Sequence, residues 1–212
     1  MTQTATAPDA TEPRLRADAR RNRERVLAAG RKLFAQHGKD AQMEDIARAA
    51  KVGVGTVYRH FPTKDDLVAA LADERFQRLQ EKARECLELE DPWQAFREFM
   101  VYSAEVQAAD RALSEVMAER PEMMRGAAEG SGLWEPMSQL IERGQQAGVI
   151  RPDVVPEDVP TMICGIGRAT QPGDIPSAIN WKRLLAILLD GLRATGPSKL
   201  PPLEPGGPAR RT

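Results

Sequence analysis

The 212-residue sequence has few of the residues and motifs that mark enzymes, metalloproteins and membrane proteins. Its two cysteines, Cys86 and Cys164, match no metal-binding or redox spacing, so we expect free thiols in a reducing compartment. It has only two histidines and no phosphate-binding loop, metal-ligand cluster or nucleophile motif, which argues against an enzyme. No apolar run approaches the roughly 20 residues that cross a bilayer, and residues 1–13 lack the apolar core of a signal peptide. We therefore expect a cytoplasmic protein that has no membrane partner, no metal and no cofactor.

The alternation of apolar and polar residues that predicts β-strands is also missing. Apolar residues instead recur at helical spacing, and Gly and Pro separate the segments. We therefore predict an all-α fold, with disordered tails at residues 1–13 and 198–212. The predicted helices span about residues 18–36, 43–50, 54–60, 64–89, 92–106, 111–118, 133–147, 157–168 and 179–194.

The net charge of −1 conceals an uneven distribution of charge along the chain. Residues 14–64 carry 13 Lys and Arg against 5 Asp and Glu, a net charge of +8. Residues 65–212 carry 17 against 24, a net charge of −7, and residues 1–13 contribute −2. A solvated helix face would account for any one of these arginines, but less well for an excess along the whole segment. The asymmetry indicates contact with nucleic acid.

The stretch KVGVGTVYRHFPTKDDL, residues 51–67, has the features of a helix-turn-helix. Two short predicted helices meet at a turn, and such a unit places its second helix in the DNA major groove. Gly53 and Gly55 remove bulk where that helix would approach the duplex. Thr63 can cap the next helix, with Asp66 as its capping-box partner. Polar donors for phosphate groups lie along the same stretch at Thr56, Tyr58, His60 and Lys64.

The longer stretch QMEDIARAAKVGVGTVYRHFPTKDDL, preceded by a basic helix ending LFAQHG, closely resembles the DNA-binding domain of the TetR family of transcriptional regulators. The resemblance covers about residues 20–71 at the level of motifs. The rest of the chain is similar to the family only in length, helical content and its leucine-rich last helix. The resemblance implies a three-helix DNA-binding domain with a helix-turn-helix at residues 14–66, followed by a larger helical ligand-binding and dimerisation domain at residues 67–197.

The family pattern also implies individual roles within this stretch. It assigns phosphate contacts to the four polar donors named above and places Val54 and Gly55 where base edges are often read. Gln42 stands at the N-cap of the second helix, where the family usually has Thr, and its amide is a candidate phosphate contact. Val54 suits a thymine methyl but not guanine, so Arg59, Gln42, Glu44 and groove shape remain alternatives for reading the sequence. The candidate DNA-binding residues are Gln42, Glu44, Val54, Gly55, Thr56, Tyr58, Arg59, His60 and Lys64.

Two residues depart from the family pattern. Lys51 stands where the family usually has the turn glycine, so either Lys51 adopts a strained conformation or the turn differs. Gly53 replaces a polar cap, so the second helix of the motif begins with a weaker cap.

The body of the chain contains six of the eight methionines and all three tryptophans. Ordinary core packing accounts for each of these residues singly, but the family resemblance implies a small ligand held between these helices. Methionine suits such a site because it adapts to varied apolar shapes. Glu105 and Arg168 are candidates for orienting the ligand. The candidate ligand-binding residues, proposed as a group, are Trp93, Phe96, Met100, Tyr102, Met117, Trp134 and Met137.

The last predicted helix is apolar over more than one face, so it needs a second partner. The segment MICGIGRA before it has small residues that permit close helix packing. Two such helices from each protomer would form a four-helix dimer interface, the arrangement that is usual in the TetR family. The candidate interface residues are Ile163, Ile166, Trp181, Leu184, Leu185, Leu188 and Leu192.

These patterns together predict a homodimeric transcriptional regulator, most simply a repressor, that binds a palindromic double-stranded DNA operator and is released by a small apolar effector. The alternative is a helical adaptor or scaffold protein without sequence-specific DNA binding. An adaptor would bury the same core, but it would have no use for the basic, glycine-punctuated stretch.

Overall fold

The computed structural model describes residues 11–169, 180–195 and 199–201. Within these ranges the regular structure is helical, apart from one isolated antiparallel bridge between Ile150 and Arg193, so the all-α prediction is confirmed. No helix in the described part of the chain is both long enough and apolar enough to cross a membrane. The elements in chain order are α1 (Thr11–His37), a 3-10 helix (Gly38–Asp40), α2 (Met43–Ala50), α3 (Val54–His60), α4 (Lys64–Leu87), α5 (Pro92–Ala109), α6 (Arg111–Ala118), α7 (Pro121–Gly130), α8 (Trp134–Gln146), α9 (Asp158–Ala169) and α10 (Trp181–Gly191).

The predicted start of the first helix was wrong by seven residues. Asp18 was expected to cap this helix, but α1 already begins at Thr11 and the Asp18 carboxylate accepts a hydrogen bond from Arg21 within it. Pro13 lies in the first turn, where a helix needs no backbone donor. Residues 11–13 of the predicted disordered tail are therefore helical, whereas residues 1–10 lie outside the described residues, as do residue 198 and residues 202–212 of the other tail.

Short-range sequence signals mark the starts of α4 and α7. The capping box before α4 is confirmed, since the Asp66 carboxylate accepts from the Thr63 amide at 2.8 Å and the Thr63 hydroxyl accepts from the Asp66 amide at 3.1 Å. Helix α7 was missed, although Pro121 occupies a favoured position at its start. Its two glycines weaken the helical pattern, and packing overrides that weakness.

The described chain forms two compact units. The first unit contains the residues up to Arg78 together with Val106–Leu133, and the second contains Leu79–Glu105 together with the residues from Trp134 onwards. Helices α4 and α5 each contribute residues to both units, so the compact units do not divide at residue 66, where the family resemblance places the domain boundary.

A single apolar core holds the first unit together. It joins the helix-turn-helix to α1, α4 and α6, because residues of all these helices are buried in one cluster. Removing a large buried side chain from such a core destabilises a protein by about 2–5 kcal/mol. The fully buried large side chains of this cluster are Leu27, Phe34, Ile46, Leu67, Leu71, Leu113 and Met117.

The second unit buries its own core between α5, α8, α9 and α10, with Phe96, Phe99 and Leu140 almost wholly inaccessible. Arg143 of α8 clamps the end of α4, because its guanidinium donates to the Leu87 carbonyl at 2.7 Å and to two further carbonyls of the following loop. The Leu87 carbonyl is in the last turn of α4, where a carbonyl has no partner within the helix, and Arg143 supplies that partner.

A partly buried ion pair lies in the loop after α8 in the second unit. Arg151 donates to both carboxylate oxygens of Asp153, at 2.6 and 3.0 Å, and the Leu200 amide donates to the same carboxylate at 2.8 Å. These hydrogen bonds, the one from Arg151 first, hold the pKa of Asp153 well below its ordinary value.

Candidate nucleic-acid interface

The turn between α2 and α3 has Lys51 in the left-handed conformation, with φ 54° and ψ 46°. Of the two alternatives for this residue, the structure has the strained one. The Lys51 amide donates to the carbonyls of Ala47 and Arg48, and the Arg25 guanidinium donates to the Lys51 carbonyl at 3.0 Å. These bonds hold a residue in a conformation that glycine would adopt more easily.

The start of α3 is open on its outer side. Gly53 lies at the N-cap position and provides no side-chain cap, as expected from its lack of a side chain. A Cβ added at Gly55 would meet no atom within 4 Å, and one at Gly53 would meet only the Thr56 hydroxyl, at 3.9 Å. Val54, between them, is 40% exposed. The packing of the chain itself therefore gives no reason for glycine at these two positions.

Tyr58 lies on the exposed side of α3 beside the start of α2. Its hydroxyl donates to the Glu44 carboxylate at 3.2 Å, and this hydrogen bond raises the pKa of Tyr58. The phenol can therefore donate to an anion and stays neutral at physiological pH. Glu44 presents a carboxylate at the same place, where it would compete with a phosphate for this donor.

The other candidate DNA-binding residues of α2 and α3 differ in exposure. Gln42 and Arg59 are exposed, whereas Thr56 and His60 are half-buried. Gln42 makes no capping bond to α2, and its amide instead donates to the Asp40 carbonyl at 2.9 Å. The exposed side chain of Arg59 is accessible to a base edge or a phosphate.

Lys64 is less exposed than the sequence pattern suggested. Its ammonium donates to the Lys39 carbonyl and lies 5.6 Å from the centre of the Phe34 ring. A phosphate contact by Lys64 therefore requires the side chain to leave this position. Its role at the interface remains a prediction.

Two family models match this chain, one over the DNA-binding motif and one over the body of the chain. A family model described as bacterial regulatory proteins, tetR family, matches residues 26–71, and one described as the C-terminal domain of SbtR-like transcriptional regulators matches residues 91–194. The crystal structure of a TetR transcription regulatory protein from Mycobacterium vanbaalenii is 35% identical, covers 84% of this chain and 99% of that chain, and has a TM-score of 0.61. This chain belongs to the TetR family.

Two further relatives match this TetR family chain over different lengths. A TetR transcriptional regulator from Streptomyces coelicolor is 29% identical, covers 82% of this chain and 99% of that chain, and has a TM-score of 0.61. An HTH-type transcriptional regulator of Staphylococcus aureus is 43% identical over 54 residues, which are 25% of this chain and 29% of that regulator. The match thus spans less than a third of that curated relative. TetR family members are DNA-binding transcriptional regulators rather than enzymes.

The candidate ligand-binding residues of this TetR family chain are divided between the two units. Phe96, Met100 and Met137 are buried in the second unit, and three further candidates there are half-buried, namely Trp93, Tyr102 and Trp134. Met117 is 1% exposed and lies in the core of the first unit, with residues of the helix-turn-helix. Met117 therefore belongs to a different compact unit from the other six candidates.

A surface groove of about 350 Å³ lies in the second unit between α5 and α10. Of the predicted ligand-binding residues it includes Trp93, and it also includes Glu105, the candidate for orienting a ligand. Four of its residues follow one face of α5 at intervals of four, a helical spacing that is visible in the sequence. The groove is lined by Trp93, Arg97, Val101, Glu105, Trp181, Lys182, Leu185, Ala186, Leu189, Asp190 and Arg193.

The candidate dimer residues divide between the core and the surface of the second unit. Four of the seven are buried within the chain: Ile163, Ile166, Leu185 and Leu192. Trp181, Leu184 and Leu188 are half-buried. Ile187 was not selected, yet it is 58% exposed and is the most exposed large apolar residue of α10 among those described. Only the packing of α10 distinguishes its two apolar faces.

Proposed function

We propose that this TetR family chain is a homodimeric repressor whose α3 enters the major groove of a palindromic operator and whose release is controlled by a small apolar effector. The observation that carries the DNA-binding part is the open start of α3. Gly53 and Gly55 have room for side chains within the protein, which supports an external surface as the reason for their absence. Tyr58 and Arg59 are exposed on the same short helix.

The dimer proposal is supported by the outer surface of α9 and α10. Ile187 is exposed, Leu184 and Leu188 are half-buried, and α9 presents Cys164 and Gly165 to solvent. Small residues on one helix and exposed apolar residues on the next allow two copies to pack closely around a twofold axis. A twofold dimer would present two copies of α3 to the two half-sites of a palindrome.

The effector proposal is supported by the apolar residues of the second unit. Phe96, Met100 and Met137 are buried there, the ring centres of Trp93 and Phe96 lie 6.2 Å apart, and methionine side chains adapt to different apolar shapes. An effector that binds the DNA-free conformation tenfold better shifts the equilibrium by only about 1.4 kcal/mol. Full release of an operator therefore requires a larger preference or two occupied sites in each dimer.

The experiment for DNA binding measures the affinity of the full chain for a random-sequence duplex over a range of salt concentrations, and then sequences the duplexes that the chain retains from a random pool. A regulator should bind with a steep inverse dependence on salt and should enrich a palindrome. Tyr58→Phe, which removes one phosphate donor, should weaken binding to all sequences by a similar factor. The adaptor alternative requires no salt-dependent binding and no enriched sequence.

The experiment for the effector uses tryptophan fluorescence. A ligand among the helices of the second unit should quench the emission of Trp93 and Trp134. Replacing both with Phe should remove most of the signal while Trp181 remains. Undiminished quenching in the double variant would place the ligand beside Trp181, on the α10 side of the surface groove.

A further inference from the structure

Arg120 lies between α6 and α7, and its guanidinium reaches the first turn of α4. Its Nε and Nη2 atoms are 2.8 and 2.7 Å from one carboxylate oxygen of Asp65. Both residues belong to the first unit, although 55 positions separate them in the sequence. Asp65 directly follows Lys64, a candidate phosphate contact, so this ion pair lies at the edge of the proposed interface.

The position of Arg120 is set by the end of α6. Its Nη1 donates to the Val116 carbonyl at 2.8 Å, and its backbone amide donates to the Met117 carbonyl at 2.9 Å. Val116 and Met117 are themselves buried in the core of the first unit. The side chain of Arg120 is 26% exposed, against 60% for Asp65, so the arginine is the more firmly held partner.

The two acids of the first turn of α4 have different roles. Asp66 forms the capping box with Thr63, and its carboxylate is occupied by that backbone amide and hydroxyl. Asp65 makes no capping bond among those of the described residues, and its charge faces solvent beside Lys64. An uncompensated carboxylate at this place would repel the phosphates that the lysine is expected to approach.

We propose that Arg120 is a positioning residue that neutralises Asp65, so that the DNA backbone can approach the start of α4. This inference rests on the proposed function.

The experiment compares four variants of the full chain with the wild type, by binding to a random-sequence duplex over a range of salt concentrations. The variants are Arg120→Ala, Arg120→Lys, Asp65→Asn and the double variant Arg120→Ala with Asp65→Asn. Phosphate contacts are independent of sequence, so a random duplex reports on them directly. Arg125→Ala is the matched control, because Arg125 pairs with Glu122 on the exposed surface of α7 in the same unit.

If Arg120 neutralises Asp65, replacing the arginine and replacing the aspartate should have different effects on DNA binding. Arg120→Ala should weaken binding by about three- to tenfold at low salt, and less at high salt, because exposed charges interact weakly and are screened. Asp65→Asn should bind as tightly as the wild type or more tightly, and it should restore binding in the double variant. Arg120→Lys should stay close to the wild type, since it retains the charge. Arg125→Ala should have no effect.

A purely structural link between α6 and α4 predicts a different pattern. Asp65→Asn would then weaken binding as much as Arg120→Ala, the double variant would show no recovery, and Arg120→Lys would behave like Arg120→Ala. Any of these results overturns the proposal, as does normal binding by Arg120→Ala. If Arg120→Ala does not fold, as judged by its circular dichroism, the comparison of Asp65→Asn with Arg120→Lys decides. Failure of the wild type itself to bind any duplex would instead overturn the proposed function.

Discussion

Replacing Gly55 with Ala should change stability and DNA binding in opposite directions. Gly55 lies in the first turn of α3, is exposed, and has no atom within 4 Å of an added Cβ. The substitution removes conformational freedom from the unfolded chain without a clash in the folded one. The free energy of unfolding should therefore rise by about 0.5–1 kcal/mol.

The same methyl group should weaken DNA binding. If Gly55 allows α3 to approach the duplex, a Cβ there moves the helix outward and lengthens the hydrogen bonds from neighbouring side chains to phosphates. Each such bond contributes about 0.5–1.5 kcal/mol, so the loss of one or two in each half-site weakens binding about tenfold or more. Thermal unfolding and fluorescence anisotropy with labelled duplex measure the two effects separately.

Gly126→Ala is the matched control for this experiment. Gly126 lies in α7, is exposed, and likewise has no atom within 4 Å of an added Cβ. Its replacement should raise stability by a similar amount and leave DNA binding unchanged. Wild-type affinity in Gly55→Ala would refute the idea that the glycine is there for the duplex. A loss of affinity in both variants would point to an effect of helix rigidity rather than of close approach.

Three further predictions concern other parts of the chain. Glu44→Gln should tighten binding to duplex DNA about twofold to fivefold at low salt, because it removes a negative charge and a competitor for the Tyr58 hydroxyl; unchanged anisotropy titrations would contradict this. Ile187→Glu should convert a dimer to a folded monomer in sedimentation experiments, whereas Leu185→Glu, which places a charge at a buried site, should unfold the protein. Because the pKa of Asp153 is lowered in the folded state, its contribution to stability is present above the ordinary pKa near 3.9 and is lost as the pH falls below that value. Asp153→Asn should therefore lower stability at pH 7, and its unfolding midpoint should depend less on pH in the acid range than that of the wild type.

Local sequence determined the helix-turn-helix and its neighbours. The bounds of α2, α3 and α6 agree with those predicted, and the capping box between Thr63 and Asp66 forms as expected. These features depend on residues within one or two turns of each other, so periodicity and cap chemistry are enough to locate them. The resemblance to the TetR family likewise rests on a contiguous stretch of residues.

Tertiary structure alone decided which side of each helix is free. The sequence shows that α10 is apolar on more than one face, but only packing places Leu185 inside and Ile187 outside. It also places Met117 with the core of the helix-turn-helix, draws the Lys64 ammonium onto a backbone carbonyl, and brings Arg120 to Asp65. These contacts join residues that are distant in the chain, and a side chain's position among them depends on which helices surround it, which no local pattern records.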